Sequence, residues 1–271
     1  MKHLFLTSTL LVVTVIMAVT STLAQLTREV TRSVPISKDG QLTIDTYKGS
    51  IIVDPWDKPE VNIVARIELD EEDRCAEEKV RNTEIIISAS PNSVAIKTDY
   101  DHIEECSSWL FGLFRISHGS LPFVHYTVRM PATVRLRVKD YKSETKIAGL
   151  RSEIDLDTYK GIVDIRDMVG SVDLETYKAN AHVEFTKMVG RNTFDTYKGH
   201  VEIIVPEGSG FDLHAELDKG TTFRSDFDSR LTCEPNEEQE ERDISIWRTI
   251  NGGGSVLSIS SHKGNIALWQ R

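Results

Sequence analysis

Tyrosine, lysine and carboxylate side chains recur together in this chain of 271 residues, about once every 20 residues. In the four strongest copies a tyrosine lies two residues after an Asp or Glu and directly before a lysine. Carboxylates bind hydroxyl groups or cations, lysine binds anions, and aromatic rings offer flat apolar platforms. A surface that repeats these groups could hold an extended ligand such as a polysaccharide. The candidate binding face comprises Asp45, Tyr47, Lys48, Asp157, Tyr159, Lys160, Glu175, Tyr177, Lys178, Asp195, Tyr197 and Lys198.

The same pattern has a structural interpretation. Parallel coils stack about 4.8 Å apart, and like charges at that distance repel. A row of carboxylates beside a row of lysines would offset this repulsion, with stacked tyrosines shielding both rows. In a third interpretation the acidic row holds Ca²⁺, which the adjacent lysines disfavour.

Catalysis by carboxylates needs two acids whose pKa values differ because their surroundings differ. A regular repeat instead gives Asp157, Glu175 and Asp195 equivalent surroundings. The sequence contains no His-Glu-x-x-His, Gly-x-Ser-x-Gly or phosphate-binding glycine loop, and its histidines show no metal spacing. We therefore predict a non-catalytic protein without cofactor or metal. The alternative is a carbohydrate-active lyase or hydrolase on a β-helix.

The elements that position these residues follow from the flanks of the motif, which alternate apolar and polar side chains as strands do. Seven copies align on the lysine, and the residue four positions before it is always apolar, which predicts that it faces the core. The period predicts an all-β, right-handed parallel β-solenoid or β-helix with one coil per repeat. The aligned apolar residues are Ile44, Val138, Leu156, Leu174, Phe194, Ala215 and Ile259.

The chain divides into three predicted segments. Residues 1–24 have the basic start, apolar run and small-residue cleavage site of a signal peptide, with a retained anchor as the alternative. Residues 25–130 form a strand and cap region, with a short helix within 70–83 and a hairpin within 84–98. Residues 131–271 form the coil array of the same solenoid domain, interrupted by an acidic loop at 224–242.

Export places the protein in the periplasm, at the cell surface or outside the cell. The net charge of −10 argues against binding to nucleic acid. An oxidising compartment permits disulfides, and we favour a pair between Cys75 and Cys106 because both lie outside the repeats. The pairing of Cys233 stays open.

One apolar stretch stands out in the cap region. As a cap it would cover the end of the solenoid, which open solenoids require. As an exposed patch it would dock a protein partner of the cell envelope. The residues of this candidate partner patch are Trp109, Leu110, Phe111, Leu113 and Phe114.

Four stretches carry a resemblance to a known family: Leu42–Trp56, Tyr126–Leu150, Ser152–Val205 and Gly252–Ala267. They resemble the bacterial putative-adhesin domain family, a group of exported or surface-associated β-solenoid proteins of unassigned biochemistry. The resemblance implies attachment at the cell surface and transfers no catalytic residue. The corner is the sharp bend in each copy of the repeat. In that family the corner often reads small residue-Gly-Asp, whereas here it reads Tyr-Lys-Gly.

Overall fold

The computed structural model describes residues 27–69, 76–103, 106–110, 114–118, 120–227 and 243–271. Over these residues the protein is all-β with one short helix, as the sequence predicts. Alternating side chains along each strand point to the core and to solvent in turn. No helix in these ranges is long and apolar enough to cross a membrane.

The N-terminal region contains nine strands and the helix. The predicted hairpin is confirmed as the antiparallel pair β5–β6, and the predicted helix is confirmed as α1. The elements are β1 (Thr27–Pro35), β2 (Gln41–Asp45), β3 (Lys48–Trp56), β4 (Glu60–Glu68), α1 (Ala76–Asn82), β5 (Glu84–Ser90), β6 (Ser93–Asp99), β7 (Cys106–Leu110), β8 (Phe114–His118) and β9 (Phe123–Pro131).

The coil array places one strand before each Tyr-Lys corner and one strand after it. β10 and β11 are long because they run through their corners without a break. The elements are β10 (Arg135–Ala148), β11 (Glu153–Thr176), β12 (Asn180–Met188), β13 (Arg191–Thr196), β14 (His200–Val205), β15 (Phe211–Leu217), β16 (Thr222–Ser225), β17 (Ile244–Ile250), β18 (Ser255–Ser261) and β19 (Asn265–Gln270).

Strands of neighbouring coils pair in parallel, so equivalent positions of the repeat stack on one another. Lys142, for example, lies beside Lys48 on one side and Lys160 on the other. Antiparallel pairs complete both ends of the array: β1–β4, β4–β9 and β5–β6 at one end, and β15–β17 at the other. The 17-stranded sheet is therefore mixed, with parallel pairing along the array and antiparallel pairing at its ends.

The last coil in the sequence is not the last coil in the stack. β18 pairs with β13 on one side and β15 on the other, and β19 lies likewise between β14 and β16. The C-terminal coil is thus inserted between two coils that are consecutive in the sequence. The order of repeats along the chain does not predict this insertion, although the long gap before Lys263 marks the excursion through β17.

The core consists of rows that run along the stack. All seven aligned apolar residues are buried, as the repeat alignment predicts. The row two positions further along each strand is buried as well, and it holds Thr46, Asp140, Thr158, Thr176, Thr196, Leu217 and Ser261. The predicted inward and outward alternation is therefore confirmed.

Several predictions concern residues outside the described ranges. These are the signal peptide at 1–24, Cys75, Cys233, Phe111 and Leu113 of the partner patch, and most of the acidic loop. The acidic loop was predicted from residue 224, but β16 extends to Ser225. The remaining patch residues belong to the β7–β8 hairpin, with Trp109 and Leu110 in β7 and Phe114 in β8. Cys106 opens this hairpin, which forms a two-stranded sheet separate from the large one.

Candidate binding surfaces

The tyrosines of the repeat form one continuous stack along the outside of the array. Tyr47, Tyr141, Tyr159, Tyr177 and Tyr197 follow one another with ring centroids 4.6 to 4.8 Å apart and interplanar angles of 4° to 11°. His262 extends the stack at 4.7 Å from Tyr197. Because each ring face is covered by the next ring, the ladder presents ring edges and hydroxyl groups to solvent.

Backbone hydrogen bonds at the corners hold this stack in register. The amides of Lys142, Lys178, Lys198 and Lys263 donate to the carbonyl of the tyrosine on the neighbouring coil, as from Lys178 to Tyr159 at 2.8 Å and from Lys198 to Tyr177 at 2.9 Å. Successive corners are thereby fixed at one strand spacing, which is also the distance at which aromatic rings can stack face to face.

At several corners, the approach of the neighbouring coil requires a glycine after the lysine. Gly161 has a φ of 141°, and a Cβ built on it would lie 2.1 Å from the carbonyl oxygen of Ser143. Gly199 makes the same close approach to Ala179. Only a residue without a side chain fits there, so these glycines set how tightly the corners pack.

A row of charged residues runs beside the tyrosine ladder. Its charges alternate as far as Asp157, but three carboxylates, from Asp157 through Glu175 to Asp195, then follow on adjacent coils. Burial raises the pKa of Asp195, and a hydrogen bond with Ser260 partly opposes the shift. The row reads Lys97, Asp45, Lys139, Asp157, Glu175, Asp195, Ser260 and Glu216.

The corner lysines do not neutralise this acidic run. No ion pair between residues 120 and 227 joins a corner lysine to the row. The ammonium groups lie near the tyrosines instead: Lys160 Nζ is 5.0 Å from the ring centroid of Tyr141, and Lys178 Nζ is 5.2 Å from that of Tyr177. Neighbouring charges of opposite sign therefore offset one another in the alternating part of the row, but not in the acidic run.

Lys48 departs from the prediction that it belongs to an exposed face. It is 7% exposed, its ammonium group donates to Ser120 Oγ at 2.6 Å, and it lies 4.1 Å from the ring centroid of Phe123. The segment that leads into β9 covers this first corner. Lys48 is thus a packing residue of the cap region.

Asp140 is a carboxylate in the buried row of hydroxyl residues. Thr158 Oγ1 donates to its Oδ1 at 3.0 Å. Burial raises the pKa of Asp140 to about 7, while hydrogen bonds from Thr158 and Ser143 oppose the shift. Hydroxyl groups also bond to each other along this row, as between Thr46 and Thr98 of the neighbouring strand β6, whose oxygens lie 3.0 Å apart.

A shallow cavity of about 250 Å³ lies between the acidic run and the tyrosine ladder. Its walls repeat from coil to coil, except that Asp140 takes the place of a threonine and that Asp195 forms a hydrogen bond with Ser260. Among the described residues, no group of three His, Cys, Asp or Glu side chains could hold a metal ion. The lining residues are Asp140, Asp157, Thr158, Tyr159, Glu175, Thr176, Tyr177, Asp195 and Tyr197.

The repeat motif does not predict a second cavity, of about 470 Å³. It lies beyond the corner, on the outer side of β14, β16 and β19. An alignment on the lysine could not find it because its residues change from coil to coil. The only sequence signal is a tryptophan in a final strand that otherwise continues the array. The lining residues are His200, Glu202, Thr222, Arg224, Asn265, Ile266, Ala267 and Trp269.

The sequence matches the family described as Toastrack DUF4097 over residues 14–269. The chain belongs to this family. The match confirms the family resemblance drawn from the repeat motifs. No curated protein matches the chain.

Solved structures that match the chain include proteins from three bacteria. A putative cell adhesion protein from Clostridium sporogenes is 10% identical, with a TM-score of 0.47 over 91% of this chain and 100% of the other. A putative adhesin from Bacteroides fragilis is 12% identical, with a TM-score of 0.33 over 90% and 97%. A putative lipid binding protein from Parabacteroides distasonis is 12% identical, with a TM-score of 0.26 over 89% and 96%.

Proposed function

We propose that this Toastrack protein is an exported, non-catalytic binding module whose tyrosine face holds an extended, repetitive glycan. The observation that supports this most is the continuity of the ladder, which offers the same groups on successive coils at a step of 4.6 to 4.8 Å. A polymer of identical units can repeat one weak contact along such a surface. Linked contacts raise the overall affinity without any single strong one.

The mode of binding follows from the stacking. Because the ring faces are covered, the tyrosines act through their hydroxyl groups and edges rather than as platforms. The carboxylates of Asp157, Glu175 and Asp195 accept hydrogen bonds from glycan hydroxyls, and the ammonium groups of Lys160 and Lys178 donate to glycan oxygens. The recognised ligand is therefore rich in hydroxyl groups along its whole length.

A glycan and cell-wall binding screen tests this proposal with three forms of the purified protein. The first is the wild type, the second carries Tyr159→Phe, Tyr177→Phe and Tyr197→Phe, and the third carries Ser at the same positions. The Phe variant keeps the stack and loses only hydroxyls, so we expect it to stay folded and to lose binding. Binding by the wild type that persists in both folded variants, or no binding to any glycan, would refute the proposal.

The proposal has three further parts. The protein is exported to the periplasm or cell surface, its coils wind in a right-handed direction, and the chain from residue 25 onward forms a single solenoid domain. The basic start and apolar run of residues 1–24 support export. N-terminal sequencing of the protein from fractionated cells tests export and cleavage. A mature chain that begins at Gln25 outside the cytoplasm is expected, whereas a cytoplasmic chain that begins at Met1 would refute it.

A second candidate function is docking of an envelope protein through the partner patch. The separate β7–β8 hairpin favours it, because this hairpin is not a strand pair of the main sheet. The double variant Trp109→Ser, Phe111→Ser distinguishes docking of a partner from capping of the solenoid end. Lost association at unchanged stability supports docking, and misfolding supports a cap.

Carbohydrate hydrolysis or lyase chemistry stays the weaker alternative, because the acidic run lines a shallow cavity whose side chains largely repeat from coil to coil. Depolymerisation of a glycan that is lost in Asp157→Asn or Glu175→Gln would establish it.

A further inference from the structure

The second cavity lies where three neighbouring strands place unlike residues side by side. In the parallel register, Glu202 of β14, Ala267 of β19 and Arg224 of β16 occupy adjacent positions of one row. Ala267 is the small member between two long side chains, so its methyl group forms a floor and the gap above it forms the cavity. A neighbouring row supplies His200, Asn265 and Thr222 as one wall. Trp269, two residues beyond Ala267, supplies the wall on the other side.

The carboxylate of Glu202 is held in one orientation by two neighbours. His182 Nδ1 lies 2.7 Å from Oε2, and the indole Nε1 of Trp269 donates to Oε1 at 3.0 Å. These hydrogen bonds, that with His182 foremost, lower the pKa of Glu202, so the group is ionised at neutral pH. Each carboxylate oxygen keeps a further lone pair for a ligand. The same hydrogen bond fixes the indole ring that lines the cavity.

We propose that this cavity binds one sugar unit of a saccharide, as a separate site from the tyrosine face. A sugar ring has an apolar C–H face and a rim of hydroxyls. The indole of Trp269 and the methyl of Ala267 suit the face, while Glu202, Asn265 and Thr222 suit the rim. The volume of about 470 Å³ lies in the usual range of small-ligand sites and accommodates a mono- or disaccharide.

The charges in the cavity favour a saccharide over other small ligands. A fixed, ionised carboxylate repels a phosphate or carboxylate group that would otherwise approach Arg224. A metal ion would need several His, Cys or acidic ligands, and the described residues contain no such group. A mixture of amide, hydroxyl, imidazole and carboxylate groups around an aromatic wall instead matches a ligand with many hydroxyls and no net charge.

The test follows the tryptophans by ¹⁹F NMR in protein labelled with 5-fluorotryptophan, because the chain contains only four tryptophans. The probes are the methyl glycosides of glucose, galactose, mannose and N-acetylglucosamine at millimolar concentrations. We expect a saturable shift of the Trp269 resonance, assigned by its loss in Trp269→Phe, with at least one of these glycosides. The resonance of Trp247, an exposed residue on β17, should not move.

Two variants show whether the shift arises in the cavity. Glu202→Gln keeps the shape and removes the charged acceptor, so it should weaken binding about tenfold or more, a loss of about 1.4 kcal/mol. Ala267→Leu fills the floor and should abolish binding. The unfolding midpoint of Ala267→Leu shows whether that variant still folds. Asp54→Asn, which changes an exposed residue of β3 outside the cavity, is the control and should retain binding.

Two outcomes would overturn the proposal: no glycoside shifts the Trp269 resonance, or a shift survives Ala267→Leu at unchanged affinity. The site does not rest on the function proposed for the tyrosine face. The triple Tyr→Phe variant of that face should retain the Trp269 shift, so failure of either proposal leaves the other measurable.

Discussion

The two outer faces of the coil array share one parallel register but place different residues on it. On the tyrosine face, five coils in succession carry the same aromatic residue, and a histidine continues the row. On the second face the row through the cavity changes at every step. It reads Thr127, Ile52, Lys146, Asp164, His182, Glu202, Ala267 and Arg224.

This difference separates two uses of a repeated backbone. Identical residues in identical positions have equivalent surroundings, which suits stacking and the repeated weak contacts of a polymer. A site that orients one small ligand needs groups of different kinds around one point. In this protein such a group exists where Ala267 interrupts a row of long side chains. Repetition therefore marks the scaffold and its continuous surface, and irregularity marks the local site.

The corner that joins the two faces should be the most sensitive position. In Gly161→Ala the new Cβ would meet the Ser143 carbonyl oxygen at 2.1 Å, at a φ of 141° that side chains rarely adopt. We expect the free energy of unfolding to fall by about 4 kcal/mol, measured by denaturant titration.

Gly190→Ala is the matched control for backbone strain alone. Gly190 has a φ of 66°, and a Cβ there would meet nothing within 4 Å. Its loss should be about 1 kcal/mol. Equal losses in the two variants would show that close packing of the corners is not what requires Gly161.

The buried row behind the tyrosine face also contains an exception, the carboxyl of Asp140, at a position where the repeat favours threonine. Its pKa in the folded state is raised to about 7, so the folded protein holds a proton that the unfolded chain releases near the ordinary value of 3.8. The wild type should lose stability as pH rises between these values and stay at the lower level above them. Asp140→Thr should therefore stabilise the protein by roughly 3 kcal/mol at pH 8 and far less at pH 4.

Thermal and denaturant unfolding from pH 4 to pH 8 measures this difference. Asp54→Asn, which removes an exposed carboxylate on the second face, is the control and should change the free energy of unfolding by less than about 0.5 kcal/mol. A gain from Asp140→Thr that is the same at both pH values would contradict the role of the buried carboxyl.

The tyrosine stack should contribute less, and its contribution should come from the rings. Tyr177 stacks on Tyr159 at 4.7 Å and on Tyr197 at 4.6 Å. Tyr177→Ala removes both contacts and should lower the free energy of unfolding by about 1 to 3 kcal/mol, whereas Tyr177→Phe keeps them and should cost less than about 0.5 kcal/mol. A large cost for the Phe variant would assign the stability to the hydroxyl groups instead.

The repeated part of the structure could be predicted from the sequence because one register determines many positions. Ile44 and Leu156 are buried, and Tyr159 and Tyr177 stack, since each copy constrains the next. Lys48 broke the pattern because its surroundings depend on a segment more than 70 residues away, at Ser120. Local spacing carries no information about such a contact.

The coil order and the second cavity could not be predicted from the sequence, for the same kind of reason. The insertion of β18–β19 between earlier coils is a long-range choice, and the cavity exists only because of that insertion. Ala267 and Trp269 come from the inserted strand, whereas Glu202 comes from β14 and Arg224 from β16. An alignment of repeats compares equivalent positions and so discards the differences that make this site.

The smallest effect should appear in the titration of Glu202, which lies on the face whose residues differ from coil to coil. The hydrogen bond from His182 lowers the pKa of Glu202 and so adds stability that is lost as pH falls through that value. His182→Gln should raise the pKa towards its ordinary value of 4.5, as followed by ¹³C NMR of the carboxyl, and should cost less than about 1 kcal/mol because water screens the pair. His214→Gln, beside Trp247 on the other face, should leave the titration unchanged. An unaltered pKa in His182→Gln would mean that Trp269 alone holds the carboxylate, and the orienting role of the histidine would be lost.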